Sequence, residues 1–184
     1  MIRDIDHILI ARGSISDRVR DLGEAITKNL ADVGESEIAL VAVMTGSLIF
    51  VADLMRHLPM KIQIQLMTSS SYIGKTIESN NDPMLGKLPE VGGMHVLLVD
   101  DILDSGRTLT RIRSALEALQ PKSIQSCVLL RKKLKSAMEV PCEYVGFDIE
   151  DEFVVGYGLD YNGYYRNMPD IGVIIPKQQH KNVC

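Results

Sequence analysis

Between Ser16 and Val33 the apolar positions Val19, Leu22, Ile26, Leu30 and Val33 recur at steps of three and four. That spacing predicts an amphipathic helix with one buried stripe. Ser16 is suited to cap its first turn, and Gly34 breaks the pattern. The period then changes. Ile38 to Met44 is a continuous apolar run, as expected of a strand covered on both faces. Thr45, Gly46 and Ser47 read as a turn. Leu48 to Leu58 is apolar nearly all round, which predicts a buried helix ended by Pro59. Ile62, Ile64 and Leu66 alternate with Gln63 and Gln65, the two-residue period of a strand.

From Thr68 to Gly93 the periodicity is lost among serines, asparagines, glycines and prolines. So long a polar stretch inside a compact domain is uncommon, and is either a lid or binding loop or disordered. Beyond it, His95 to Val99 reads as a buried strand. Leu109, Ile112, Leu116 and Leu119 mark a helix. Ile124 to Leu130 reads as a strand, with shorter ones at Tyr144 to Phe147, Phe153 to Val155 and Ile171 to Ile175. Strands alternating with helices predict an α/β fold, a parallel sheet with helices on both faces. The 184 residues show no repeat and no linker, so residues 1–184 read as one domain.

Composition narrows the function. Hydrophobic residues at 46% and charged residues at 24% belong to the globular range. A net charge of -4, no Trp and only 5% aromatics argue against a nucleic-acid partner. The one basic cluster, Arg131, Lys132, Lys133 and Lys135, reads as a solvated loop after a strand. Cys127, Cys142 and Cys184 are odd in number and widely spaced, so neither a disulfide framework nor a zinc site is indicated. The first residues carry acids and no apolar core of a secretory signal, and no apolar run nears the ~18 residues of a membrane span. A soluble cytoplasmic protein without a membrane partner is expected.

The chemistry concentrates in Val96 to Thr108. An apolar strand runs into Asp100 and Asp101, and a short loop from Asp104 to Thr108 opens the next helix. In an open parallel sheet, ligands bind beyond the carboxyl ends of the strands. Gly106 allows close backbone approach to an anion, and the free N–H groups of a starting helix favour one. Ser105 and Thr108 add hydroxyls, and Arg107 adds charge or a backbone N–H. The carboxylates call for other partners, namely ribose hydroxyls and a magnesium ion. An Asp-Ser-Gly turn alone would be an ordinary helix cap; the whole constellation points to a sugar phosphate. Gly74-Lys75-Thr76 lacks the rest of a Walker A loop, Gly156-Tyr157-Gly158 lacks the third glycine of a dinucleotide fingerprint, and the four histidines have no metal-ligand spacing.

Val96 to Thr108 resembles the phosphoribosyl-diphosphate signature of type I phosphoribosyltransferases. Val43 to Ser47, Ser71-Tyr72, Leu130 to Lys132, and above all Asp151 to Arg166, resemble the hypoxanthine-guanine branch. The likeness covers roughly residues 5 to 175. It implies a Rossmann-like parallel-sheet core, a small hood from the N-terminal residues and about 150–175, and a lid at about 68–93 carrying Ser71 and Tyr72. It implies purine salvage: magnesium-dependent transfer from phosphoribosyl diphosphate to N9 of hypoxanthine or guanine, giving IMP or GMP.

Residue by residue, the resemblance implies that Asp104, Ser105, Gly106, Arg107 and Thr108 cradle the 5′-phosphate. Asp100 and Asp101 would hold the ribose hydroxyls and stand near the metal. Asp104 would also face purine N7 as general acid/base. Lys132 would donate to O6, Phe153 would stack on the base, and the Val154 backbone would meet its edge. Asp160, beside the purine, would bind magnesium. Met44 and Thr45 would form a strained, cis-prone peptide meeting the diphosphate, with Gly46 and Arg166 beside it. A homodimer or homotetramer is implied as well. Three departures stand out: Asp100 where the family often has Glu, Arg107 at a position where relatives carry varied residues, and Arg131, for which the pattern offers no role. Two other readings are weighed against this one. A uracil-type enzyme doubling as an RNA-binding regulator would suit Asp100-Asp101 and Arg107, but not Asp104 or the net charge. A non-catalytic phosphoribosyl-diphosphate sensor would need a DNA-binding module for which 184 residues leave no room.

Overall fold

Seven apolar residues in a row form β2 (Ile38–Met44) because both faces of that strand are covered. Ile38, Leu40 and Ala42 join one core, and Ala39, Val41 and Val43 join another. The computed structural model describes residues 4–33, 38–68 and 88–174. In chain order the remaining elements are β1 (Ile5–Ile10), α1 (Arg12–Leu30), α2 (Leu48–Leu54), β3 (Ile62–Thr68), β4 (His95–Leu103), α3 (Arg107–Glu117), β5 (Ser123–Lys132), α4 (Lys135–Met138), β6 (Tyr144–Ile149), β7 (Val154–Val155) and β8 (Ile171–Ile174).

Five strands pair in the order β3-β2-β4-β5-β6, all parallel. One face packs on α1 and α2 through Val19, Leu22, Ile26, Phe50 and Leu54. The other packs on α3 through Leu109, Ile112 and Leu116. The expected doubly covered parallel sheet is therefore present. β1, β8 and β7 form a separate antiparallel sheet, the hood. On α1, Arg18 reaches the edge strand, donating from Nε to Gly146 O and from Nη2 to Val145 O, both at 2.7 Å.

Several boundaries differ from the sequence expectations. The first helix starts at Arg12, not Ser16, and its cap position Ala11 makes no side-chain bond. Its first N–H is met instead by Asp170 Oδ1, 2.8 Å away and 158 residues on. The second helix stops at Leu54 and tightens into a 3-10 turn over Met55–His57. Leu48 and Ile49 at its start are exposed, so it is buried on one side only. β1 was not visible as a pattern, because it alternates poorly and pairs only with the distant β8. β4 continues through Asp100 and Asp101, and β5 through Lys132. The basic cluster is thus a strand end leading into α4, not a solvated loop. Thr68 closes β3, and Val91 is fully buried in the α3-side core. Ser71 and Tyr72, with the rest of the expected lid from 69 to 87, lie outside the described residues.

Candidate active site

The ends of β4 and β5 meet the segment that leads through β7 at one cleft of about 220 Å³. Asp101, Ile102, Asp104, Lys132, Glu152, Phe153, Val154, Leu159 and Asp160 line it. Six of these nine were singled out in the sequence, from three separate stretches. Asp100 is not among them. It points into the protein, almost wholly buried.

The two adjacent carboxylates behave as a pair. Asp100 Oδ1 accepts the Asp101 N–H at 2.9 Å, and Asp101 Oδ1 accepts the Ile102 N–H at 2.9 Å. Burial first, and the neighbouring Asp101 charge second, push the Asp100 carboxyl well above the carboxylate range. Burial also raises Asp101, but hydrogen bonds and the Arg166 charge oppose the rise. Asp100 is therefore the member pushed further toward its neutral form, and Asp101 is the one presented to the cleft.

After β4, Gly106 adopts φ +82° and precedes α3 with no side-chain cap. A Cβ there would collide with Val140, so only glycine fits. Ser105, Arg107 and Thr108 are exposed around this helix start. The α3 N-terminus thus offers uncapped N–H groups beside hydroxyls, an anion cradle. Arg107 and Thr108 belong to the helix rather than to the loop before it.

The turn after β2 packs against Asp101 beside this cleft. The Met44–Thr45 peptide is cis, as the family resemblance implied. Ser47, fully buried, ties the turn back by donating to Val43 O at 2.6 Å. A side chain on Gly46 would overlap the Asp101 carboxylate, and one on Gly158 (φ +103°) would overlap the Gly46 carbonyl. Backbone, carboxylate and backbone are therefore stacked without room for a methyl group.

The longer side chains are held by one another. Lys132 Nζ lies 2.8 Å from Asp151 Oδ1 and 3.3 Å from Asp104 Oδ1. Burial works to lower the Lys132 pKa, but the bonds and charges of Asp151 and Asp104 outweigh it, so the ammonium stays charged. Arg166 pairs with Asp160 at 2.7 Å and donates to Gly158 O at 2.6 Å. Asp160 Oδ2 also accepts the Gly163 N–H at 2.7 Å. Phe153 stands half-exposed at the cleft, edge-on to Tyr161 with ring centroids 5.4 Å apart.

Sequence reasoning missed Asp151, Ser47 and Gly158. Asp151 and Gly158 lay inside a motif that was noticed, yet nothing local revealed their partners. Arg131 now has a role: it forms a two-bond pair with Asp148, its register partner on β6.

Asp101, Asp104 and Asp160 present hard oxygens to the cleft, but no group of three or more acids, histidines or cysteines among the described residues is placed to hold a metal alone. Such a donor set suits an ion that keeps waters and takes the rest of its ligands from a bound phosphate, as magnesium does.

Residues 12–162 match the phosphoribosyl transferase domain family. The chain is 41% identical over 169 residues to the hypoxanthine phosphoribosyltransferase of Escherichia coli (strain K12), covering 91% of this chain and 94% of that one. It is 38% identical over 178 residues to the hypoxanthine-guanine phosphoribosyltransferase of Mycobacterium avium, covering 95% and 88%. Its fold matches the Trypanosoma cruzi hypoxanthine phosphoribosyltransferase, solved with its product IMP, with a TM-score of 0.82 at 28% identity, covering 94% and 92%. A Bacillus anthracis hypoxanthine-guanine phosphoribosyltransferase superposes with a TM-score of 0.79 at 36% identity, covering 93% and 99%.

Proposed function

The chain belongs to the phosphoribosyl transferase family, in its hypoxanthine-guanine branch, and from that premise we propose how its residues divide the reaction. The enzyme acts in purine salvage. It moves a 5-phosphoribosyl group from phosphoribosyl diphosphate to N9 of hypoxanthine or guanine, giving IMP or GMP and diphosphate.

The observation that carries this assignment is the placement of Asp104 beside Lys132, 3.3 Å apart in one cleft with Phe153. N7 and O6 are neighbours on one edge of a 6-oxopurine. Asp104 can take a proton at N7 while the Lys132 ammonium donates to O6. Adenine carries an amino donor where O6 would be, so the ammonium would meet a donor rather than an acceptor. Phe153 offers a ring face to the base.

The N9 lone pair attacks C1′ of the ribose as the C1′–O bond to diphosphate breaks and its electrons leave with the oxygen. The N7 proton passes to the Asp104 carboxylate. Positive charge develops on the ribose ring, as in glycoside chemistry, and Asp101 holds the ring hydroxyls. Ser105 to Thr108 and the start of α3 hold the 5′-phosphate. The Met44–Gly46 turn and Arg166 receive the leaving diphosphate. Asp101 and Asp160 would hold magnesium, which when bound offsets negative charge on the diphosphate oxygens. Closure of a lid carrying Ser71 and Tyr72 would keep water from the activated sugar. A cytoplasmic location belongs to the same reading, as does a homodimer or homotetramer. Exposed Ile64 and Leu66 on the edge strand β3 support self-association.

The test is magnesium-dependent diphosphate release with hypoxanthine, guanine, xanthine, adenine and uracil offered separately. Turnover with hypoxanthine or guanine and little with adenine or uracil is expected. Turnover with uracil alone would overturn the base assignment.

A further inference from the structure

Tyr157 sits between two glycines that cannot carry a side chain, and it is itself left-handed at φ +50°. Its ring is buried. Its N–H donates to Met168 O at 2.7 Å, and its hydroxyl donates to Asp53 Oδ2 at 2.6 Å. Asp53 stands on α2, the helix that begins directly after the Thr45–Ser47 turn. A hydroxyl bonded to a carboxylate is a strong, directional link. Here it joins the hood-side segment to the element carrying the diphosphate turn, across 104 residues of sequence.

The neighbours show what this link holds in place. Gly158 follows Tyr157 and presses on the Gly46 carbonyl, and its own carbonyl accepts from Arg166. The Gly158 N–H donates back to Arg166 O at 3.0 Å. Asp53, Tyr157, Arg166 and Ile49 also line one cavity of about 270 Å³ behind the turn. Phe153 and Val154 are secured differently. Ile174 N–H donates to Phe153 O at 2.9 Å, and Val154 pairs in register with Val173 on β8. The base contacts therefore do not depend on the Tyr157 hydroxyl.

We propose that Tyr157 and Asp53 are positioning residues for the diphosphate half of the site, setting Gly158 and Arg166 against the Met44–Gly46 turn while leaving the purine half untouched. The inference rests on the phosphoribosyl-transfer reading above and adds to it a division of labour within the site. Neither side chain touches substrate; both act through Gly158 and Arg166.

The experiment compares equilibrium affinities, by titration calorimetry with magnesium, for phosphoribosyl diphosphate and for IMP, which lacks the diphosphate. Tyr157→Phe and Asp53→Leu remove the donor and the acceptor; Asp53→Asn keeps an acceptor. Loss of a hydrogen bond to a charged group predicts about tenfold weaker phosphoribosyl diphosphate binding in Tyr157→Phe and Asp53→Leu, with IMP affinity within about twofold. Asp53→Asn should recover most of the lost affinity. Equal weakening of both ligands, or of neither, would overturn the inference, because a merely structural role does not distinguish them. Should Asp53→Leu fail to fold, Tyr157→Phe, which keeps the ring, decides alone. A parent that binds both ligands but transfers nothing would sink the proposed activity and leave the strut standing. A parent that binds neither would overturn both.

Discussion

The strand-end turns and the charged side chains facing them are two halves of one cleft built on different principles. At the ends of β2 and β4 the shape is fixed by close approach. Gly46 lies against Asp101, Gly158 against Gly46, and Gly106 against Val140, with no space for a methyl group at any of the three. Nothing there needs a ligand to hold it. Across the cleft, Lys132 and Arg166 are long cations held by carboxylates, Asp151 and Asp104 for one and Asp160 for the other. Each cation is thus already partnered within the chain, so a ligand that engages it must compete with contacts that exist without it. The first half supplies rigidity by packing. The second supplies discrimination, because an exchange is favourable only for a ligand that offers equivalent acceptors.

If that contrast is right, changes should separate by half. The largest effect is expected for Asp104→Asn, which preserves shape but removes the proton acceptor. Turnover should fall by about 10²–10⁴-fold while phosphoribosyl diphosphate binding changes little. Near-parental turnover would remove Asp104 from proton transfer. Lys132→Ala should lower the ratio of hypoxanthine to adenine kcat/KM by about 10–100-fold, the worth of one charged hydrogen bond. An unchanged ratio would place discrimination elsewhere.

Asp100→Asn tests the packed half. The folded-state pKa of Asp100 lies above its unfolded value, so the folded chain keeps a proton that the unfolded chain has released. Its contribution is therefore full below about pH 4 and is lost as pH rises through the folded value. The Asn variant removes that loss. It should melt higher than the parent near pH 8 and show less difference near pH 4. Equal melting at both pH values would mean that Asp100 is not strained. The smallest effect belongs to Arg131→Ala. Its pair with Asp148 is partly exposed, so a loss of under about 1 kcal/mol in denaturant unfolding and no change in base preference are expected.

The same contrast explains what could be read in the sequence. β2 and β4 were legible because a strand covered on both faces must be apolar throughout, whatever its neighbours. Asp104 to Thr108 was legible because an anion cradle is assembled by consecutive residues. The pairs Lys132–Asp151 and Tyr157–Asp53 were not, since each joins residues brought together only by the sheet order or by the hood. β1 was missed for a related reason. It is defined by its register with β8 rather than by its own alternation. Ser16 failed as a cap because Asp170, from the far end of the chain, does that task for Arg12.

Arg18 has a consequence for the molecule among its fellows. β6 ends the five-stranded sheet, and an open strand edge is a template on which another chain can add itself. The Arg18 guanidinium occupies the Val145 and Gly146 carbonyls, two acceptors such an intruder would need. Arg131 and Lys133 add charge toward the other end of the strand pair through Asp148 and Glu150. The sheet is thereby closed to growth on one side. Were copies to meet through β3, where Ile64 and Leu66 are exposed, the blocked β6 edge would give no second place to continue, and the contact would end in a finite particle rather than a fibre.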